Sequence, residues 1–189
     1  MTVPTQPQPT LQRDLTWAAG LLLLLLLWDL SGADLVVMRA LASPTGFAWR
    51  EHWLTTLVLH QGGRLIGWIV LIALLVQWWR PLPFARDLTP GERRWWLATS
   101  LLSLLTIPLL KRVSLTSCPW SLAEFGGTAS YVSHWWLGVA DGGGGGCFPS
   151  GHASAAFSFL GGYFALRPRH PLAARRWLGA VLGLGLLFG

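Results

Sequence analysis

Long apolar runs separated by basic connectors are the feature that most limits what this chain can fold into. The runs cover residues 17–30, 65–79, 95–110, 153–166 and 177–189. The first includes seven consecutive leucines. Only 12% of the 189 residues are charged, and soluble domains usually carry about 25%. Because a helix needs roughly 20 apolar residues to cross a bilayer, the sequence predicts an all-α, polytopic membrane helical bundle with about five spans visible.

Some runs need neighbouring residues to reach the length of a span. We expect the first to continue through Val36, Val37 and Met38, and the second to begin near Leu54. A cleaved signal peptide is the alternative for the first run, but only Arg13 precedes the leucines and no small-x-small cleavage site follows them. The last run is too short to span. We therefore expect either that the sequence is part of a longer protein or that this run lies at the membrane interface.

The positive charge follows the pattern of membrane orientation. Thirteen of the fourteen cations are arginines, and Lys111 is the only lysine. With the N-terminus in the cytoplasm, nine cations lie on the cytoplasmic side and five on the other, which favours that orientation. It places loop 111–150 in the periplasm or outside the cell, and we expect a bacterial inner membrane. The basic connectors account for the charge, so membrane lipids are the expected partners and nucleic acid is not.

The domain organisation is simple. Residues 1–12 are rich in Pro, Gln and Thr, a composition typical of a disordered tail. Residues 13–189 then form one membrane domain, which we expect to be incomplete at its C-terminus. The glycine tract at 142–146 lies in the loop between the third and fourth runs and cannot be helical.

The segment Pro149-Ser150-Gly151-His152 comes directly before the fourth run and has the properties of an anion site. Ser150 and Gly151 lie at a helix N-terminus, where free N–H groups attract anions. Glycine lets a ligand approach the backbone closely. His152 can donate a proton near neutral pH. The alternative interpretation is a capped helix with an incidental histidine.

Lys111 ends the third run, on the same predicted face of the membrane as His152. A lysine at this position can simply extend its ammonium to the interface. In a chain that otherwise uses arginine, a single ammonium beside an anion site also suits phosphate binding.

Together, Lys111, the pair Cys118-Pro119 and residues 149–152 resemble the type 2 phosphatidic acid phosphatase family. Its first motif is Lys, six residues, Arg-Pro; its second is Pro-Ser-Gly-His; its third is Ser-Arg, five residues, His, three residues, Asp. The family is built of about six spans, with the first motif after the third span and the second at the start of the fourth. Our span assignment puts both motifs in those places.

The resemblance implies a role for each matching residue. Lys111, Ser150 and Gly151 bind the phosphate, and His152 is the general acid for the leaving group. A histidine of the third motif attacks phosphorus to give a phosphohistidine. No cofactor or metal is implied. The implied substrate is a lipid phosphate or diphosphate, such as phosphatidic acid, phosphatidylglycerol phosphate, undecaprenyl diphosphate or a lipid A phosphate.

The sequence departs from the family pattern twice. The arginine of the first motif is replaced by Cys118, and no spacing supports Arg112 as a substitute. The third motif is absent from residues 1–189, so we expect this chain to be inactive as given. Two alternatives stay open: a truncated or degenerate non-catalytic relative, and a lipid phosphotransferase.

The two cysteines, Cys118 and Cys147, flank the motifs within one predicted external loop. In an oxidising compartment they can pair; the alternative is two free thiols. His60 and Arg64 flank two glycines on the same predicted face and can touch a head group. His134 can line a lipid entrance or be a plain interfacial residue. Asp29 is assigned no role, and nothing in the spacing selects Glu124 or Asp141 as partners of site cations.

Overall fold

The computed structural model describes residues 11–43, 46–136 and 138–188, and within them it contains helices and no strand. The α-helices are α1 (Leu11–Leu30), α2 (Ala33–Leu41), α3 (Gly62–Trp79), α4 (Pro90–Val113), α5 (Gly151–Phe157), α6 (Gly161–Leu166) and α7 (Pro171–Leu187). A π-helical segment, Leu54–Gln61, leads into α3, and short 3₁₀ turns lie at Pro83–Ala85, Pro119–Ser121 and Ala123–Phe125. The predicted all-α fold class is confirmed.

Among the described residues, three helices are long and apolar enough to cross a membrane: Leu11–Leu30, Leu54–Trp79 and Pro90–Val113. The second joins the π-helical segment to α3, so the expected start near Leu54 is confirmed. Its leucines, isoleucines and tryptophans are largely exposed, as expected for side chains that face lipid.

The first span differs from its prediction. Its α-helix already begins at Leu11 and ends at Leu30, which gives 20 residues. Gly32 then adopts a left-handed conformation with φ 69° and starts the separate helix α2. The expected continuation through Met38 is therefore wrong, because a left-handed residue breaks the helical hydrogen bonding. Of the predicted tail at 1–12, Leu11 and Gln12 are helical, and the rest lies outside the described residues.

The core is formed where α4, α6 and α7 pack beside α3. Trp96 of α4 is fully buried and meets Trp177 of α7 edge to face, with ring centroids 5.1 Å apart. Gly162 of α6 lies against both rings: a Cβ added there would stand 2.4 Å from atoms of each. A side chain at position 162 would thus push α6 away from its two neighbours.

The fourth and fifth apolar runs stay predictions as membrane spans. The fourth is divided by a turn at 158–160 into α5 and α6, and α7 has 17 residues. On the side opposite the glycine-rich loop, Arg167 pairs with Asp14 at 2.6 Å and Arg169 with Glu92. These ion pairs connect the segment after α6 to the starts of α1 and α4.

Candidate active site

The loop after α4 folds back onto the end of that helix. The Nζ of Lys111 donates to the carbonyl oxygen of Cys147 at 3.3 Å, and the N–H of Cys147 donates to the carbonyl of Thr116 at 3.0 Å. Cys118 and Cys147 form a disulfide, with Cα atoms 5.0 Å apart. The segments that carry the two motifs are thereby joined covalently and by hydrogen bonds.

Asp141 organises the glycine-rich part of this loop. Its carboxylate is buried and accepts hydrogen bonds from the N–H of Ser117, the hydroxyl of Ser117 at 2.9 Å and the N–H of Gly143 at 2.9 Å. Burial alone would raise the pKa of Asp141, but these donors outweigh it and hold the pKa below its usual 3.8. Asp141 is thus an anionic centre that shapes the loop, a role its position in the sequence did not reveal.

The glycine tract is non-helical, as predicted, and its backbone explains the choice of residue. Gly145 and Gly146 have φ of 64° and 70°, which other residues rarely adopt. A Cβ on Gly145 would stand 2.8 Å from the carbonyl oxygen of Ser114. Glycine lets the loop pass this close to the end of α4.

Ser150 precedes α5 without capping it. Its side chain makes no capping hydrogen bond; instead its Oγ donates to the carbonyl oxygen of Phe188 at 3.1 Å. Gly151 is the first residue of α5, and a Cβ there would meet nothing within 4 Å. The hydroxyl of Ser150 therefore does not serve the structural role that the capped-helix interpretation gave it.

His152 lies beside His60 of the π-helical segment. Its Nε2 is 3.2 Å from the carbonyl oxygen of His60, and the two ring centroids are 4.2 Å apart. Because a carbonyl oxygen only accepts, Nε2 is the protonated nitrogen in this arrangement. Burial first, and then the charges of His60, Arg64 and Lys111, lower the pKa of His152, and an anion bound beside these groups would counter the effect of their charges.

A cavity of about 840 Å³ opens at this histidine pair. Its polar rim includes His60, Arg64 and His152, with Gly151 beside them. Its body is lined by apolar side chains of several helices: Leu71, Leu101, Leu104, Ala156, Val181 and Leu184. A basic rim on an apolar chamber can hold an amphiphilic anion, with its charge at the rim and its hydrocarbon inside.

Some of the predicted site residues line the cavity, and others lie next to it. Gly151 and His152 line the cavity. Lys111 does not line it, but its charge reaches His152. Arg112 is exposed and does not line the cavity. The contribution of His60 through its backbone carbonyl could not be read from sequence, because it depends on how the π-helical segment lies against α5.

Glu124 and Asp29, to which the sequence assigns no role, do not line the cavity. Glu124 pairs with Arg39 through two hydrogen bonds, and these hold the pKa of Glu124 below its ordinary value. Asp29, buried at the end of α1, accepts from the hydroxyl of Ser133. It also lies 3.1 Å from Nδ1 of His134.

His134 links this acidic pocket to the site loop. Its Nδ1 is also 3.4 Å from Asp34, and its ring packs on Phe148, two residues before Ser150, with centroids 4.5 Å apart. Donor atoms of Asp29, Asp34 and His134 lie within 4.8 Å of one another, a ligand set that suits a divalent cation by type. Here Nδ1 of His134 is hydrogen-bonded to Asp29 and lies beside Asp34, and these contacts position the loop against α1.

Comparison with known proteins gives one finding that bears on this geometry. The model of the PAP2 superfamily matches residues 94–189, slightly more than half of the chain, and the matched part contains Lys111, Cys118 and residues 150–152. No match was found among curated proteins or among solved structures. His60 and Arg64, which lie on the rim of the cavity, precede the matched region. With both motifs of the phosphatase pattern inside the matched region, this chain belongs to the PAP2 superfamily.

Proposed function

We propose that the protein is a membrane-embedded phosphatase of lipid phosphates or diphosphates, acting through a phosphohistidine intermediate at the non-cytoplasmic face. The observation that carries this proposal is the position of His152, at the basic rim of an apolar cavity of about 840 Å³. A water-soluble phosphate ester would gain nothing from such a chamber, whereas a lipid can place its chain there.

The donors around the rim suit the phosphate group. Lys111 uses one N–H for the carbonyl of Cys147 and keeps two others for phosphate oxygens. The N–H groups at the start of α5 supply neutral donors, and because the backbone holds them in place before substrate arrives, they stabilise the charge that develops on the phosphoryl oxygens without reorganising. The hydroxyl of Ser150 joins them by exchanging its hydrogen bond to the carbonyl of Phe188 for one to the phosphate.

His152 is the proposed general acid. With Nε2 donating to the carbonyl of His60, a doubly protonated ring carries its second proton on Nδ1. A nucleophilic histidine forms a bond to phosphorus while the bond to the ester oxygen breaks, and His152 gives that oxygen its proton. Water then gives a proton back to His152 and cleaves the phosphorus–nitrogen bond, which releases phosphate.

The nucleophile is assigned by the resemblance to a histidine of a third motif, and residues 1–189 contain no such motif. The end of α7 supports this assignment. The carbonyl of Phe188 accepts from Ser150, and its ring centroid is 5.9 Å from that of His152. A third motif carried by residues after α7 would therefore enter the site beside His152.

We further propose that the site faces the periplasm or cell exterior of a bacterial inner membrane, with the N-terminus in the cytoplasm. The disulfide between Cys118 and Cys147 supports this, because disulfides persist in oxidising compartments. The distribution of arginines supports the same orientation.

The test is phosphate release from lipid substrates, in detergent, by the protein expressed from its full reading frame. The panel contains phosphatidic acid, phosphatidylglycerol phosphate and undecaprenyl diphosphate, and the variant is His152→Ala. We expect release to fall about 10²–10⁴-fold, the usual contribution of a general acid. The matched control is His170→Ala. His170 directly precedes α7, pairs with Asp87 at 3.2 Å and does not line the cavity. Release that survives His152→Ala would overturn the proposal.

A further inference from the structure

Position 118 leaves the phosphate site short of positive charge. A phosphate monoester carries about −1.5 to −2 charges near pH 7, and the two motifs supply one permanent cation, Lys111. The sulfur of Cys118 forms a disulfide with Cys147, so this position contributes no charge. Residues 1–189 do not contain the third motif and therefore not its arginine, so a second permanent cation within them has to come from outside the two motifs.

Arg64 lies where such a cation is needed. It belongs to the first turn of α3, four residues after His60, whose carbonyl contacts His152. Residues four apart share one face of a helix. Arg64 and His152 line the same cavity, and the charge of Arg64 acts on the His152 ring.

Arg64 also has no anionic partner in the part of the chain that the structure describes. Arg39, Arg167 and Arg169 each pair with a carboxylate. Arg64 is exposed, near the start of the apolar stretch of a helix long enough to cross the membrane. Arg112 also lacks a carboxylate partner among the described residues, but only Arg64 of the two lines the cavity, where its guanidinium can bind an anion.

We propose that Arg64 is the second phosphate-binding cation of this site, supplying the charge that position 118 lacks. This inference rests on the proposed phosphatase function. The planar guanidinium offers two parallel N–H donors to one phosphate group. Lys111 and Arg64 then bind the head group from α4 and from α3, while the hydrocarbon chain enters the cavity that Arg64 lines. Arg64 lies outside the region that the family model matches, so the family pattern does not assign it.

The experiment measures equilibrium binding to the 189-residue chain in detergent by tryptophan fluorescence. The ligands are dioctanoyl phosphatidic acid, inorganic phosphate and dioctanoylglycerol. For Arg64→Ala we expect affinity for both phosphate ligands to fall about tenfold or more, as for loss of a charged hydrogen bond. Arg64→Lys keeps the charge and loses the planar pair of donors, so its loss is smaller. Affinity for dioctanoylglycerol stays unchanged.

Arg112→Ala is the matched control, because Arg112 is exposed next to Lys111 and does not line the cavity. It leaves all three affinities within about twofold, as expected for a surface change. If Arg64→Ala binds phosphatidic acid like the unmodified chain while Lys111→Ala does not, the role of Arg64 is refuted and the proposed function stands. Equal loss for dioctanoylglycerol also refutes it. If the unmodified chain does not prefer phosphatidic acid to dioctanoylglycerol, both proposals fail.

Discussion

Asp141 shows how one carboxylate determines the shape of the loop that carries the site. Its donors come from near the two ends of the loop that the disulfide closes. Ser117 directly precedes Cys118, and Gly143 lies shortly before Cys147. The hydroxyl of Ser117 in turn accepts from the N–H of Gly145 at 3.0 Å. The carboxylate thus holds the glycine tract beside the end of α4, next to Lys111.

We predict that Asp141→Asn lowers the free energy of unfolding by about 1–3 kcal/mol, because an amide nitrogen would face N–H donors that are left unpaired. The pKa of Asp141 is lowered in the folded state. Its stabilisation is therefore complete above the unfolded-state value and is lost as pH falls through the folded-state value. Thermal unfolding in detergent at about pH 7 and about pH 3 measures both effects.

The control for this prediction is Glu51→Gln. Glu51 is exposed and has no ion-pair partner among the described residues, so the change should shift stability by less than about 0.5 kcal/mol. The role assigned to Asp141 is wrong if the two variants have the same midpoint at neutral pH, or if Asp141→Asn keeps the full acid sensitivity of the unmodified chain.

At the residue scale, the sequence identifies those functional side chains that stand in a recognisable local sequence pattern. Pro149-Ser150-Gly151-His152 and Lys111 stand out because their chemistry and position relative to the apolar runs are visible in one dimension. Asp141 and Arg64 do not, since their importance depends on partners 24 and 88 residues away (Ser117 and His152). A sequence pattern cannot show which of several exposed arginines lines the cavity beside His152.

At the scale of elements, close packing of α4, α6 and α7 positions α5 and its histidine. Gly162 allows it: an added Cβ would stand 2.4 Å from Trp96 and from Trp177. The indole N–H of Trp177 donates to the carbonyl of Phe159 at 2.8 Å, in the turn between α5 and α6. These contacts fix the direction in which α5 leaves the core.

We predict that Gly162→Ala destabilises the protein by about 1–3 kcal/mol, because two large rings must move to admit one methyl group. The gain in helix propensity of about 0.8–1.0 kcal/mol does not offset this. Gly179→Ala in α7 is the matched control, since a Cβ there meets nothing within 4 Å. Thermal unfolding in detergent should show a lowered midpoint for Gly162→Ala only. Equal midpoints for the two variants would show that the interface can accommodate the added methyl group.

Hydrophobic patterning predicted the helical elements better than their ends. The extension of the second span to Leu54 follows from apolar residues alone and is confirmed. The break after Leu30 was missed, because residues 33–38 continue the apolar pattern while Gly32 turns to a left-handed conformation. The π-helical geometry before α3 left no recognised signal in the sequence, although such segments are frequent at functional sites.

At the scale of the whole molecule, residues from distant parts of the chain meet at one end of the bundle. Arg64 comes from α3, Lys111 from α4, His152 from α5, and Phe188 follows α7. Span counting predicts that Lys111 and His152 lie on one membrane face. The cavity cannot be predicted in this way, because its walls are formed by the packing of these helices against one another.

We predict that the 189-residue chain binds a short-chain phosphatidic acid but does not hydrolyse it. Binding needs the rim cations and the apolar chamber, which are present, whereas hydrolysis through a phosphohistidine needs a nucleophile that residues 1–189 lack. His60 is not assigned this role, because its ring packs directly on that of His152, with centroids 4.2 Å apart, whereas displacement at phosphorus needs the phosphoryl group between the nucleophile and the proton donor. Released phosphate and bound lipid are measured on the same preparation, with His152→Ala and His60→Ala as controls. Sustained release that His60→Ala abolishes would contradict the prediction and make His60 the nucleophile.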